Sequence, residues 1–295
     1  MQPPDKRLTP ARADLAALHL QGKVEAQRFA EGMARQVARP VVALRQKPEP
    51  RAGIDTELLF GEVVTIYDVA EGWAWGQAEA DGYVGYVPAD VLSTVVLEPT
   101  HRVSAIGTFV YPQADIKAAP IHHLSINSRI TVSEADDRFC RLQTGGYVIG
   151  RHVTPLARYA RDFVEIAERL IGVPYLWGGR SRLGVDCSGL IQLAMQAAGL
   201  PCPRDSDMQQ EEIGEPVLVP ENLEGLQRGD LVFWPGHVGV MSDGMMLLHA
   251  NAHHMAVVIE PLATAAKRTS RSGQEIAAIK RPAALGAPPT VARSE

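Results

Sequence analysis

The chain has 295 residues, about twice the length of a typical single domain, so two or more domains with ample core are expected. Its content of 46% hydrophobic and 21% charged residues is typical of a folded protein and excludes a disordered chain. Lys and Arg number 29 against 34 Asp and Glu, a net charge of −5, and no long basic tract is present. Nucleic acid is therefore not an expected partner.

The first residues and the cysteines bear on location. The chain begins with a polar, proline-containing stretch that lacks the apolar core of a signal peptide, and no apolar run is long enough to cross a bilayer. Its cysteines, Cys140, Cys187 and Cys202, are too few and too scattered for a disulfide framework. We expect a cytoplasmic protein without a membrane partner.

The N-terminal half divides by composition. Residues 1–40 predict an extension with a short helix, and residues 41–97 and 98–156 predict two small antiparallel β-barrels, because short β-branched and aromatic segments alternate with Gly, Pro and Asp. The segments EVVTI, GWAW and GYVGYVP between 62 and 88 are echoed by RITV, RFCRL and GYVIG between 129 and 150. This order resembles a tandem of bacterial SH3-like domains.

The hydrophobic period changes after residue 156. Apolar side chains on one face predict a helix of about four turns around 163–170, and a second helix follows Cys187 and ends at Gly199 and Pro201. Strands are predicted at 230–234, 237–242, 245–250 and 256–260. Residues 157–284 therefore predict an α+β domain with the helices first and the sheet after, and residues 285–295 a frayed tail.

One cysteine has the setting of a nucleophile. Cys187 lies at the first turn of the second helix, where the helix dipole and unpaired backbone N–H groups favour the thiolate. His237, at the start of a strand fifty residues later, is the candidate base. His249, on the next strand, is the candidate group that orients its imidazole.

The spacing of the histidines depends on the turn between their strands. If residues 242–244 form a three-residue hairpin loop, Met241 pairs with Met245, and His237 lies directly opposite His249 on the same face. A two-residue turn at 243–244 would instead place His249 opposite Val238. The first arrangement brings the two rings within hydrogen-bonding distance.

Five ordered motifs in residues 157–281 resemble the NlpC/P60-type papain-like cysteine peptidases of bacterial cell-wall metabolism. They are PYLWGG at 174–179, DCSGL at 186–190, RGDL at 228–231 followed by Phe233, GHVGV at 236–240 and LHA at 248–250. The resemblance implies two SH3-like barrels followed by an α+β papain-like catalytic domain. It also implies Cys187 as nucleophile, His237 as general base and acid and His249 as orienter, with no metal or cofactor.

The barrels and the segment RDSDMQ at 204–209 narrow the resemblance to γ-D-glutamyl-L-diamino acid endopeptidases, the dipeptidyl-peptidase VI type. It implies a monomer that cuts murein tri- or tetrapeptides with a free N-terminal L-Ala, between D-Glu and the diamino acid, in peptide recycling. The residues that it implies for substrate binding are Tyr83, Tyr175, Trp177, Asp186, Ser188, Asp205 and Ser206, with Glu57 or Glu62 as a carboxylate partner for the free amine.

Other interpretations stay open at this stage. Cys187, His249, His253 and His254 could be imagined as a zinc site, although no acidic or cysteine pair completes the usual ligand spacing. An exported murein endopeptidase, a transferase or amidase on the same scaffold, and a silent module in which the barrels bind peptide or glycan are the functional alternatives. Cys140 and Cys202 are expected to be structural.

Overall fold

The computed structural model describes residues 5–218 and 222–283. Two compact units, divided between Leu156 and Ala157, make up the described part of the chain, and each is considered by itself. Within those residues no helix has the length and apolar character needed to cross a membrane. The predicted tail at 285–295 lies outside the described residues.

The first part of the N-terminal unit is built around one antiparallel sheet of seven strands. Two short strands, β1 (Leu15–Ala17) and β2 (Arg28–Ala30), precede it, and its own strands are β3 (Met33–Val37), β4 (Val41–Arg45), β5 (Ile54–Leu59), β6 (Val63–Ala70), β7 (Trp73–Ala78), β8 (Val84–Pro88) and β9 (Leu92–Ser93). They pair in the order β5-β4-β8-β7-β6-β3-β9. Alternate residues point inward and form a core that includes Val42, Leu44, Ile66 and Val87.

This sheet starts earlier than the predicted boundary at residue 41. Strand β3 pairs with β6 in the register Met33↔Ile66 and with β9 in the register Val37↔Leu92. Only the end of β3 is buried, so its sequence carries little of the apolar alternation on which the boundary was based. Strand β3 joins the sheet through backbone hydrogen bonds, which the amino-acid composition does not reveal.

The residues before β1 also belong to this sheet region. The Arg12 guanidinium lies 4.5 Å from the centre of the Trp75 ring and donates to the Tyr86 hydroxyl and the Asp68 carboxylate, at 3.1 and 2.6 Å. The Val84 N–H donates to the Arg7 carbonyl at 2.7 Å. The helical part of the predicted extension is a single 3-10 turn at Leu18–Leu20. Much of the extension is therefore held in place by cation–π and hydrogen-bond contacts.

A second group of short antiparallel strands follows, with a core of its own that includes Val103, Leu124, Ile130 and Val148. Its strands are β10 (His101–Val103), β11 (Gly107–Val110), β12 (His122–Ser125), β13 (Arg129–Ile130), β14 (Val132–Ala135), β15 (Phe139–Leu142), β16 (Tyr147–Ile149) and β17 (Val153–Pro155). They pair in the orders β13-β10-β17, β11-β12 and β14-β15-β16. Cys140 is buried in this core, as a structural cysteine would be.

The C-terminal unit places helices ahead of a sheet. Its elements are α1 (Phe163–Glu168), β18 (Arg180–Ser181), β19 (Gly184–Val185), α2 (Cys187–Ala197), α3 (Ser206–Glu212), β20 (Glu215–Val217), β21 (Leu231–Trp234), β22 (His237–Met241), β23 (Met246–Asn251), β24 (Ala256–Pro261), α4 (Leu262–Ser270) and β25 (Ala278–Arg281). The sheet order is β20-β25-β21-β22-β23-β24, and α2 packs against β22 and β23. The observed strands overlap all four predicted ones.

The first helix is shorter than the four turns that the apolar periodicity predicts. Asp162 caps α1 by accepting from the Val164 N–H at 2.8 Å, so the residues before it stay outside the helix. At the other end, the Leu170 N–H donates to the Ala167 carbonyl in a tighter turn, and the Gly172 N–H donates to the Val257 carbonyl. Leu170 is therefore buried from a turn, and the periodicity does not distinguish this from burial in a helix.

Candidate active site

Local capping positions Cys187 at the start of α2. The Asp186 carboxylate accepts from the Gly189 N–H at 2.7 Å, which fixes the first turn. A Cβ on Gly189 would lie 2.2 Å from the Gly179 carbonyl oxygen, so only glycine allows this close approach. The thiol of Cys187 is consequently held in the first helical turn and is buried, with 7% of the residue exposed.

A tight turn places His237 beside this thiol. Trp234 pairs with His237 across Pro235 and Gly236, and Gly236 has the positive φ, 71°, that a type II turn requires at its second central residue. The Cys187 Sγ lies 4.0 Å from the Gly236 carbonyl oxygen, at the first residue before the histidine. The candidate nucleophile therefore lies against the backbone at the start of β22, next to the candidate base.

The two candidate histidines, His237 and His249, are in contact, although the predicted hairpin register is wrong. Met241 pairs with Leu247, not with Met245, because the connection spans residues 242–245 and the Ser242 N–H donates to the Met246 carbonyl. The shift is two residues, which preserves the face of every side chain and makes His237 and His249 diagonal neighbours. Their Nε2 and Nδ1 atoms lie 2.9 Å apart.

A carboxylate that the sequence analysis did not single out completes this chain of contacts. Glu260 pairs with Leu247 across β23 and β24 and therefore shares a face with His249. Its Oε1 lies 2.9 Å from His249 Nε2, and Arg268 on α4 donates to both of its oxygens. The register between the consecutive strands β23 and β24 brings Glu260 here, and no sequence motif marks it.

Burial sets the resting protonation of the site. It raises the pKa of the Cys187 thiol to about 11, and the nearby Asp186 charge adds to this, while backbone N–H groups of Val238 and Ser188 oppose it. Burial and the neighbouring His249 lower the pKa of His237 to about 3. The helix N-terminus was expected to favour the thiolate, but desolvation outweighs it at Cys187, and both shifts favour a neutral thiol beside a neutral imidazole.

The carboxylate of Asp186 is also clamped by an arginine. Arg204 donates to both oxygens, at 3.0 and 2.7 Å, and its side chain is 1% exposed. The Gly178 N–H donates to the same carboxylate at 2.8 Å. Asp186 thus joins the loop before β18, the start of α2 and the segment before α3 around Cys187.

Comparison with protein families and curated proteins agrees with this geometry. Residues 172–271 match the NlpC/P60 family, and residues 44–92 match the bacterial dipeptidyl-peptidase Sh3 domain. The chain carries an NlpC/P60 cysteine peptidase domain. It is 29% identical over 233 residues to dipeptidyl-peptidase 6 of Lysinibacillus sphaericus, which covers 70% of this chain and 84% of the relative.

Two further likenesses extend beyond the NlpC/P60 domain. The chain is 26% identical over 222 residues to the gamma-D-glutamyl-L-lysine dipeptidyl-peptidase of Bacillus subtilis strain 168, which covers 67% of this chain and 72% of the relative. A crystal structure of an NlpC/P60 family protein from Bacillus cereus ATCC 10987 matches with a TM-score of 0.70 at 20% identity, over 84% of this chain and 99% of the other. At that identity the structural likeness shows the fold alone.

Tyr175 and Trp177 lie in the loop that precedes the nucleophile of the NlpC/P60 domain. Burial, assisted by the Asp186 charge and by any ionisation of Cys187, raises the pKa of Tyr175 to about 12, so this hydroxyl is protonated at neutral pH. The Trp177 ring is 71% exposed. Both are placed where a substrate could reach them, and their contact with it stays a prediction.

Ser188, Asp205 and Ser206 have different surroundings. Ser188 is buried, and its hydroxyl donates to Asp186 and accepts from Arg204, so its hydrogen bonds are internal. Asp205 and Ser206 are half-buried at the start of α3. Substrate contact by the three stays a prediction.

The residues proposed for recognition of the amine belong to the N-terminal unit. Tyr83 is 5% exposed and borders a pocket of about 420 Å³ whose wall also includes Asp55 and Trp75. Glu57 and Glu62 are buried, and the Glu62 carboxylate accepts from the Leu59 N–H at 2.9 Å. Glu62 therefore has a local role in the turn after β5, and the amine-binding assignment of Tyr83 stays a prediction.

The zinc alternative is not favoured by the position of His249. Both of its ring nitrogens face protein atoms, His237 on one side and Glu260 on the other. His254 packs against His253 and lies 3.1 Å from the Asn251 side-chain oxygen through its Nδ1. Among the described residues, no set of three or more His, Cys, Asp or Glu side chains is arranged to hold a metal ion.

Proposed function

We propose that the enzyme hydrolyses the γ-D-Glu–diamino acid bond of murein tri- or tetrapeptides that carry a free N-terminal L-Ala, and releases L-Ala-D-Glu. The observation that carries the proposal is a buried cysteine at a helix start whose Sγ lies 4.0 Å from the Gly236 carbonyl oxygen, next to a histidine that is hydrogen-bonded to a second histidine. This is the arrangement that nucleophilic catalysis by a thiol requires.

The neutral resting pair determines the first step. His237 takes the thiol proton as the Cys187 sulfur attacks the γ-carbonyl carbon, which forms a tetrahedral oxyanion. The Cys187 N–H, in the first turn of α2 where no intrahelical acceptor exists, donates to this oxyanion. His237 then gives its proton to the leaving amine, and a thioester remains.

Water completes the cycle. His237 deprotonates a water molecule that attacks the thioester carbonyl, and collapse of the second tetrahedral intermediate releases the free γ-carboxylate and restores the thiol. The protonated Tyr175 hydroxyl, close to the sulfur, is a candidate second donor to the oxyanion. The thiol thus displaces the amine, water displaces the thiol, and one amide bond is hydrolysed for each water molecule consumed.

The substrate class is supported by the relatives and by the SH3 match. Proteins similar over about 70% of this chain are named for dipeptidyl-peptidase activity, one of them on a γ-D-glutamyl-L-lysine bond. If a buried carboxylate binds the free N-terminal amine, a peptide with a blocked amine would leave that carboxylate unpaired. The enzyme would therefore discriminate against blocked peptides. We also propose that residues 98–156 form a second SH3-like domain and the catalytic unit a papain-like fold, in a monomeric, cytoplasmic recycling enzyme.

Mass spectrometry of one peptide series tests the proposal. L-Ala-γ-D-Glu-diaminopimelate and its N-acetylated form are incubated with wild type, Cys187→Ala and Cys140→Ala. We expect wild type and Cys140→Ala, which removes a buried cysteine from the other unit, to release L-Ala-D-Glu from the free peptide alone. Cys187→Ala should release none above background.

The other outcomes contradict specific parts of the proposal. Cleavage of the acetylated peptide would exclude the free-amine rule and favour an endopeptidase of intact stems. An amine adduct in place of the free acid would indicate a transferase. Peptide binding without any product would favour the silent module, and recovery of the protein from the periplasm or medium would overturn the recycling role.

A further inference from the structure

The side chain of Glu260 is an unassigned charged group at the end of the histidine chain. Its carboxylate is 11% exposed and faces three groups: His249 Nε2 at 2.9 Å, the Arg268 guanidinium, and His254 Nδ1 at 4.0 Å. Hydrogen bonds from Arg268 and His249 lower its pKa to about 2, against the opposing effect of burial. It is therefore a carboxylate, which accepts hydrogen bonds and donates none.

This charge determines which nitrogen of His249 carries the proton. An ionised Glu260 requires a donor at His249 Nε2, so a neutral His249 has its lone pair on Nδ1. That lone pair faces His237 Nε2 at 2.9 Å, which must then be the donor. The remaining nitrogen of His237, Nδ1, is left with a lone pair.

We propose that Glu260 is a positioning residue that sets the protons of both histidines, so that His237 Nδ1 presents its lone pair to the thiol of Cys187. The inference rests on the proposed function for the roles of the cysteine and His237. When the thiol proton moves to His237 Nδ1, the imidazolium is stabilised through His249 by the Glu260 charge. The proton moves within the buried cysteine–histidine pair, so the net charge of the pair stays zero.

A neighbouring amide favours the opposite arrangement. The Asn251 Nδ2 atom also lies 2.9 Å from His249 Nε2, and its Oδ1 accepts from the His254 N–H at 2.8 Å, which fixes the direction of the amide. Without the carboxylate, this N–H donor would select a lone pair on His249 Nε2. The proton would then lie on His249 Nδ1, and His237 Nδ1 would be protonated and unable to act as a base.

Arg268 supplies the counter-charge that keeps the carboxylate in this position. Its guanidinium donates to both Glu260 oxygens from the next helix, α4. A bidentate pair of this kind restricts the orientation of the carboxylate plane. The two residues thus have different roles: Arg268 fixes the orientation of the Glu260 carboxylate, and Glu260 determines which nitrogen of His249 carries the proton.

Relocating the carboxylate tests the inference. Glu260→Ala removes the acceptor and leaves the amide of Asn251 to choose the protonated nitrogen. We expect the rate of Cys187 alkylation by iodoacetamide at pH 7, and kcat/KM on the peptide, to fall by about 100-fold. Adding Asn251→Asp to Glu260→Ala places an isosteric carboxylate against His249 Nε2, and we expect at least 10-fold recovery of both rates.

Two measurements separate positioning from a general loss of structure. Nitrogen-15 NMR of labelled histidine should show His249 protonated on Nε2 in wild type and on Nδ1 in Glu260→Ala. Glu168→Gln is the control, since it removes a carboxylate from an arginine pair with Arg228 in the same unit, and we expect unchanged alkylation and histidine spectra.

The outcomes distinguish this inference from the proposed function. A wild-type His249 protonated on Nδ1, or alkylation that is unchanged in Glu260→Ala, would overturn it. Failure of the added Asn251→Asp to restore any reactivity, in a protein with a wild-type melting curve, would overturn it as well. If Glu260→Ala alters the alkylation rate and the histidine tautomers, but wild type does not cleave the peptide, the role of Glu260 is supported and the proposed substrate is rejected.

Discussion

Two carboxylate–arginine pairs flank the candidate catalytic residues and act on different kinds of group. On the nucleophile side, Asp186 is held by Arg204 and accepts from backbone N–H groups. On the histidine side, Glu260 is held by Arg268 and faces an imidazole. A carboxylate bound to backbone fixes where a segment lies, whereas one bound to a ring fixes where a proton lies.

The two pairs also differ in burial. The Arg204 side chain is 1% exposed, and that of Arg268 is 26% exposed. Loss of the carboxylate beside a buried guanidinium removes the charge that compensates it, whereas water can solvate a guanidinium that is partly exposed. The nucleophile side is therefore expected to respond to mutation mainly in stability and the histidine side mainly in reactivity.

The largest expected effect on stability is that of Asp186→Ala. It removes both the carboxylate that pairs with the buried Arg204 and the cap of α2, so we expect the free energy of unfolding of the C-terminal unit to fall by about 3–5 kcal/mol. Hydrogen exchange of peptides from β21 to β23 across a urea titration measures this unit separately. A loss below about 1 kcal/mol would show that the two pairs are energetically alike.

The neutral resting pair predicts a steep pH dependence of thiol reactivity. Because burial raises the pKa of Cys187 to about 11, the thiolate fraction and the alkylation rate should rise about tenfold for each pH unit between 7 and 10. Peptide mass spectrometry resolves Cys187 from the other cysteines, and Cys187→Ala identifies the background. A plateau that begins below pH 7 would instead show a preformed thiolate–imidazolium pair.

Glu260 predicts a smaller effect that depends on acid. Its pKa is lowered from 4.5 to about 2, so its stabilising contribution is complete above about pH 4.5 and is lost as the pH falls toward 2. Compared with Glu260→Gln, wild type should be more stable by about 1–3 kcal/mol at pH 6. Urea titrations between pH 6 and 3 should show the difference shrinking, and a constant difference would contradict the assignment.

The smallest effect is expected at the partly exposed pair of Arg228 and Glu168. Their side chains are 34% and 32% exposed, and solvent screens pairs of this kind. Glu168→Ala should change the free energy of unfolding by no more than about 1 kcal/mol in the same urea titration. A loss as large as that of Asp186→Ala would remove burial as the explanation of the comparison.

Much of the site could be predicted because its signals are local. Asp186 and Gly189 mark the start of α2, Pro235 and Gly236 mark the turn before His237, and alternation marks the strands on either side. The contact between the two histidines was also confirmed, but with the wrong register. It survived because a shift of two residues keeps both side chains on one face.

The amino-acid sequence by itself determined the order of the regions, the strands of the C-terminal sheet and the cysteine–histidine pair. Helical period, strand alternation and turn residues are properties of a few consecutive positions. The tertiary structure alone decided the pairing of β3, the shortened α1, the Asp186–Arg204 pair and the approach of Glu260 to His249. These depend on the register in which segments pair and on the partners that buried side chains find, and hydrophobic periodicity specifies neither.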